Sequence, residues 1–337
     1  MKRISLLILT AILGLQGCNS SNKSKSTTKP VLPTKPVITA VHGIQPSEVA
    51  NYIAEFKLAK ENLKFTFEGA ESKIFYVDKT KDTIIIKYDK GLVHAGFDFK
   101  NNEPTASLTL YEGDTSDLGD FKATRMLTGV DIKISEDDDT SIYSGSVKDQ
   151  VTGGIYSIRL QLNEHLMGAG DSKLIINGKK ATLAGTLGTS TYIQIQEMIN
   201  TTSVDTLILS NVSGSDNDAI NMHTGRLIRN ASLTTLMPKG GEAYSGGVDL
   251  FAAGAQRIFE TGGKLGVHSW CCTADGKDAG QLSKGDKAHG AQLTYFREML
   301  GTEKGPEFYF YTINAAPANK IHLMSVADMV KYTLTTP

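Results

Sequence analysis

Gly240–Trp270 reads GGEAYSGGVDLFAAGAQRIFETGGKLGVHSW. Ser245 stands among small residues at the opening of an apolar, Ala/Gly-rich helix, and Lys264–His268 is a short strand run ending in histidine. A serine hydroxyl is a poor nucleophile until a base within hydrogen-bond reach takes its proton. A helix start offers backbone N–H groups and positive dipole to a developing oxyanion. The stretch thus holds the parts of acyl-transfer chemistry. A plainer reading stands beside it, in which Tyr244–Gly247 is a turn and helix cap and His268 a satisfied core histidine. Composition alone favours the plainer one, because Ser and Gly crowd turns.

Outward from this segment the pattern alternates. Lys173–Gly185 reads as strand, turn, strand; Thr189–Asn200 is helical, with Ile193, Ile195 and Met198 as its apolar positions. Thr206–Leu209 is a buried-strand run, Ser210–Asp218 a small-residue loop, Ala219–Asn230 a helix and Leu233–Met237 a strand. Strands and helices alternating at these lengths mean crossover units and a largely parallel sheet.

From about Lys173 to Leu334 the chain resembles the ClpP/crotonase superfamily, and within it periplasmic ClpP-like proteins of serine-protease type. TLILSNVSGSDNDAI matches the strand, loop and helix in which Gly214 occupies the place of the oxyanion-facing glycine. EAYSGGVDLFAAGAQRIF is similar to the nucleophile helix, with Ser245 at the serine position and Gly246 after it. KLGVHSW matches the strand bearing the catalytic histidine, here His268, and NKIHLMSVADMVKYTL resembles the closing helix. The resemblance implies an α/β ClpP/crotonase-like domain over 173–337, with Ser245 as nucleophile, His268 as base and then acid, and Gly214 and Gly246 as the oxyanion hole.

The pattern breaks at the third member. Where the family carries an aspartate before the closing helix, this chain has Lys320-Ile321-His322, and isoleucine cannot orient an imidazole. Asn319 is the expected substitute, as Asn serves in papain-like triads. His322 and an acid from the Asp275–Asp286 loop are alternatives, and Lys264 is a remote candidate for a serine–lysine dyad. Asp216-Asn217-Asp218 reads as the cap of the following helix rather than a calcium loop. His223 and Arg226 read as solvent-facing in preference to lining the cleft, and His289, ahead of the helix Gln292–Leu300, has no obvious partner.

The first half has another texture. Ser47–Leu63 is an amphipathic helix with Val49, Tyr52, Ile53 and Phe56 at helical spacing. Short runs follow, separated by turn residues: Phe65–Phe67, Ile74–Val77, Thr83–Tyr88, Ala95–Phe99, Ala106–Tyr111, Gly129–Ile134, Ser141–Val147 and Ile155–Leu162. These predict an α+β domain over 39–170, mostly antiparallel β with one helix, and of unknown role.

Lys2 and Arg3 precede an apolar run, Ile4–Leu15, too short to span a bilayer comfortably, and Leu15-Gln16-Gly17-Cys18 resembles a bacterial lipobox. Residues 1–18 are therefore expected to be a lipoprotein signal peptide ending in lipidated Cys18, with 19–38 a Ser/Lys/Thr/Pro-rich flexible linker. That implies an envelope protein facing the periplasm. Asn19 after the cysteine favours the outer membrane in a Gram-negative cell. Three cysteines exclude a disulfide framework. Cys271 and Cys272 either bond to each other or stay reduced, and no second Cys/His pair stands at metal spacing.

A net charge of −1 with mixed signs points to no nucleic acid and no polybasic membrane patch, leaving the lipid as the membrane contact. The expectation is a lipoprotein serine hydrolase acting on a peptide or acyl substrate, with no metal and no cofactor. Acyl-CoA chemistry is disfavoured because CoA is not expected outside the cytoplasm. The rival expectation is a catalytically inactive ClpP-like binding module. Relatives often form homo-oligomers through this fold, although no interface signature stands in this sequence.

Overall fold

The computed structural model describes residues 39–79, 83–100, 103–116, 120–137 and 139–336. The expected signal peptide, Cys18 and the expected linker 19–38 lie outside the described residues. Residues 40–337 form one compact unit that contains two sheets.

Helix α1 (Val49–Asn62) opens the first part. Val49, Ile53, Phe56 and Ala59 are buried at helical spacing along one face, and no proline or glycine interrupts it. Ten strands follow: β1 (Lys64–Phe67), β2 (Ala70–Ser72), β3 (Ile74–Lys79), β4 (Thr83–Tyr88), β5 (Gly91–Lys100), β6 (Glu103–Gly113), β7 (Ala123–Gly129), β8 (Lys133–Asp137), β9 (Thr140–Asp149) and β10 (Ile155–Asn163). Among the described residues they make an antiparallel sheet of order β2-β1-β10-β9-β7-β6-β5-β4-β3, with β8 also on β9. Alternate residues such as Ile86 and Tyr88, Leu108 and Leu110, Leu160 and Leu162 point into one core, and Phe56 and Ala59 of α1 pack against them.

The run Gly129–Ile134, expected as a single strand, is broken. Gly129 pairs with Val147 and Lys133 with Ser144, so residues 130–132 bulge out opposite Gly145 and Ser146. The bulge needs glycine across from it: Gly145 has φ 153°, and a Cβ there would meet Asp131 O at 2.2 Å.

The second part continues with β11 (Lys173–Asn177), β12 (Lys180–Leu187), α2 (Thr189–Thr201), β13 (Thr206–Ser215), α3 (Asp218–Asn230), β14 (Thr234–Met237), β15 (Glu242–Tyr244), α4 (Gly246–Ala253), β16 (Gln256–Phe259), β17 (Lys264–Val267), α5 (Gly290–Leu300), α6 (Lys304–Ala315), β18 (His322–Leu323) and α7 (Val326–Lys331). The sheet runs β11-β12-β13-β15-β17-β18, with β14 and β16 branching from β13. Its inner pairs are parallel, and the edge pairs β11–β12 and β17–β18 are antiparallel. The architecture is therefore a mostly antiparallel β sheet with one helix, followed by a mixed α/β sheet covered by helices.

The expected loop Ser210–Asp218 is mostly strand: β13 continues to Ser215 through two register shifts against β12. This extension bifurcates the sheet. Thr206–Ile208 pair with β14, whereas Asn211 and Val212 pair with β15. Val49 and Ile53 of α1 join Tyr192 of α2 and Ile220 of α3 in a third apolar cluster, which ties the first helix to the second sheet's helices.

Candidate active site

Three parallel neighbours end side by side. Asn211 and Val212 of β13 lie opposite Glu242 and Ala243 of β15, and that register, continued, sets Gly214 beside Ser245. A Cβ on Gly214 would stand 3.4 Å from Ser245 Cβ and 4.0 Å from its Oγ. On the other flank Tyr244 pairs with Gly266 of β17, and the Ser245 N–H donates to Gly266 O at 2.9 Å. His268 follows directly on β17. Ligands of α/β sheets gather at the carboxyl ends of strands, and Gly214, Ser245 and His268 occupy that edge.

Ser245 forms the junction between β15 and α4 with φ 51° and ψ −122°. That backbone region is unusual for a residue with a Cβ and costs about 1–3 kcal/mol. A serine on a strained strand-to-helix turn is the device by which α/β-hydrolases lift a nucleophile off the sheet. The surroundings hold the turn in place. Val248 N–H donates to Ser245 O at 2.8 Å, and Asn221 Nδ2 donates to Gly246 O at 3.0 Å. A Cβ at Gly246 would meet Ser215 Oγ at 2.6 Å and Asn221 Nδ2 at 2.9 Å, so only glycine fits there. All of α4 is buried, which anchors the turn in the core.

Ser245 and His268 line the same cavity, with Asp218, Asp249 and Trp270, and with Phe296 and Ile313 as apolar wall. His268 Nδ1 is buried without a hydrogen-bond partner. Asp218 Oδ1 accepts a hydrogen bond from Ser215 Oγ. Burial raises the Asp218 carboxyl, while the Ser215 hydrogen bond and the attraction of His268 act in the opposite direction. Asp249 is 9% exposed, and its carboxyl has no hydrogen-bond partner among the described residues. Burial, and then the charge of Asp218, pushes it well above the ordinary carboxylate range.

Trp270 is braced from behind. Its Nε1 donates to Tyr309 OH at 3.0 Å; Tyr309 OH lies 2.6 Å from His289 Nδ1, and His289 Nε2 lies 3.0 Å from Ser283 O. His289, without a visible partner in the sequence, is a fully buried linchpin whose Nε2 proton goes to the carbonyl.

The other sequence candidates lie elsewhere. Asn319 is exposed in the turn before β18 and does not line the cavity. His322 packs edge-on against Tyr311, and Lys264 is paired with Glu242 at 2.5 Å. Asp275 pairs with Lys277, and Asp286 caps a short helical turn through Ala288 N. His223, expected in solvent, is buried with Nε2 2.8 Å from Ile44 O. Asn217 is the cap of α3, accepting from Ile220 N at 3.2 Å. Cys271 and Cys272 are joined to each other. Asp218 and Asp249 were not singled out for chemistry from sequence. One signal was present, since Asp249 falls four residues after Ser245, the spacing of one helical turn.

No protein family and no curated protein matches the chain in sequence. Among solved structures, the C-terminal half is similar to an enoyl-CoA hydratase from Bacillus anthracis, at 13% identity and TM-score 0.32 over 49% of this chain and 68% of that one. Pseudomonas aeruginosa DspI is similar at 12% identity and TM-score 0.32, over 49% of this chain and 71% of its own.

Proposed function

We propose that the chain is a serine hydrolase of ClpP-like type that cleaves a peptide or other acyl bond through an acyl-enzyme. The observation that supports this best is Ser245: a strained strand-to-helix turn carries its side chain onto a cavity that His268 also lines. In this reading Ser245 Oγ attacks the carbonyl carbon as its proton passes to the His268 ring. The scissile bond breaks, and His268 returns the proton to the leaving amine or alcohol. Water then attacks the acyl-serine by the same route, releasing the acid. The N–H groups of Gly214 and Gly246 would hold the oxyanion, and loss of one such donor costs ~100–1000-fold in rate.

The proposal includes the setting read from the leader: a cell-envelope protein anchored by lipid on Cys18 and facing the periplasm. No helix among the described residues is long and apolar enough to cross a membrane.

Detergent-solubilised full chain treated with a fluorophosphonate tests the reading. Labelling of native protein that is lost in Ser245→Ala supports it. Folded protein that stays unlabelled refutes it and leaves a binding module in its place.

A further inference from the structure

The cavity holds more acid than a serine–histidine pair requires. Asp218 lines it from the start of α3 and Asp249 from α4. Neither stands near the closing helix, where the resemblance locates an acid. Two further features point to a use for them. His268 Nδ1 is buried with nothing to accept its proton, and Asp249 is more than nine-tenths enclosed, with its carboxyl unpartnered in the same cavity. Other polar groups around the pair are accounted for. Tyr295 of α5 donates to the main-chain Asp249 O at 2.7 Å, and Tyr309 OH of α6 accepts a hydrogen bond from Trp270 Nε1. Arg229 of α3 is spent on Ala252 O and Met299 O.

We propose that Asp218 is the positioning residue for His268, supplying from the head of α3 the carboxylate that holds the imidazole for Ser245. The inference rests on the hydrolase reading of the same site. Burial raises both carboxyls, and Asp218 is the one whose Ser215 hydrogen bond and attraction to His268 act against that rise. Asp218 is held ready by the Ser215 hydroxyl, and its pull on His268 is the attraction that opposes its own desolvation. His268 Nδ1 has no hydrogen-bond partner in this structure; once the Asp218 carboxylate accepts from Nδ1–H, the ring is fixed as the Nδ1–H tautomer and Nε2 is left free as the base. The carboxylate that the motif lacks at Ile321 would thus come from the head of α3.

The test pairs a rate with a readout independent of activity. In the full chain labelled with ¹⁵N-histidine, the ring nitrogens of His268 report the tautomer, assigned by comparison with His268→Gln. We expect the Nδ1–H form in the native protein and its loss in Asp218→Asn. Fluorophosphonate labelling should fall about 1000-fold or more in Asp218→Asn, on the scale known for the triad aspartate. Asp218→Glu should recover part of both signals. An unchanged tautomer and an unchanged labelling rate in Asp218→Asn would overturn the inference, and so would loss of the tautomer in Asp249→Asn but not in Asp218→Asn. If native protein takes no label, the hydrolase reading fails, and the tautomer measurement still decides the role of Asp218.

Discussion

The Tyr52 hydroxyl of α1 lies 2.8 Å from Asn217 Nδ2 and 3.1 Å from Thr189 Oγ1, bridging the first helix to the segment that joins β13 to α3. Asn217 stands between Gly214 and Asp218, and its own Oδ1 caps α3. A hydroxyl far away in sequence therefore steadies the segment that carries a proposed oxyanion amide and the proposed positioning acid. Tyr52→Phe removes the acceptor for Asn217 without emptying the apolar space. We expect a loss of about 1 kcal/mol in stability and a several-fold slower fluorophosphonate reaction, read by thermal unfolding and a labelling time course. An unaltered labelling rate would show that α1 does not set the site.

Ser245 carries strain in the folded state that glycine would not. Ser245→Gly gives up some unfolded-state restriction but relieves a φ of 51° worth about 1–3 kcal/mol. The variant should lose all labelling and yet unfold at higher urea, by about 1 kcal/mol. A destabilised Ser245→Gly would contradict the strain assigned to the turn.

The two glycines should fail differently when replaced by alanine. At Gly246 the added methyl meets Ser215 and Asn221 inside 3 Å, so Gly246→Ala should cost about 1–3 kcal/mol by overpacking. At Gly214 the space is adequate at 3.4 Å, but φ is 140°. Gly214→Ala should therefore shift the backbone, and with it the amide facing the substrate. Labelling should drop more than 10-fold in both, with the larger fall in urea midpoint at Gly246.

The antiparallel sheet holds its own pH sensor. Asp149 accepts from Thr152 N at 3.0 Å, from Arg125 Nε at 2.7 Å and from Val151 N at 2.8 Å, and these bonds hold its carboxyl far below the usual range. A carboxyl lowered on folding stabilises the protein above the unfolded value of about 4, and that contribution disappears as pH falls through the folded value. Asp149→Asn should be less stable than native at pH 7, with a flatter loss of stability below about pH 4. Urea midpoints at the two pH values measure the difference.

Much of the architecture was legible because periodicity reports burial: α1, α2, α3 and β11–β12 stand close to where apolar spacing puts them. The failures have local causes. A bulge opposite Gly145 interrupted an apolar run, and β13 extended through Ser/Gly/Asn residues because a branching sheet gave it a second partner, β15. In the site, Ser245 and His268 share a cavity as the motif order suggested, whereas Asn319 stays in solvent. Asp218 was hidden behind a capping role that Asn217 performs, and Asp249 inside a helix otherwise read as apolar. Buried acids are invisible to a reading that assigns charge to the surface.

The most direct measurement is a crystal structure of the full chain after reaction with a small alkyl phosphonate. We expect phosphorus bonded to Ser245 Oγ, its oxygen within hydrogen-bond reach of the Gly214 and Gly246 amides, and the His268 ring beside the serine. Density for an unmodified Ser245 in protein exposed to excess reagent, or phosphorus bonded to another residue, would contradict the hydrolase proposal.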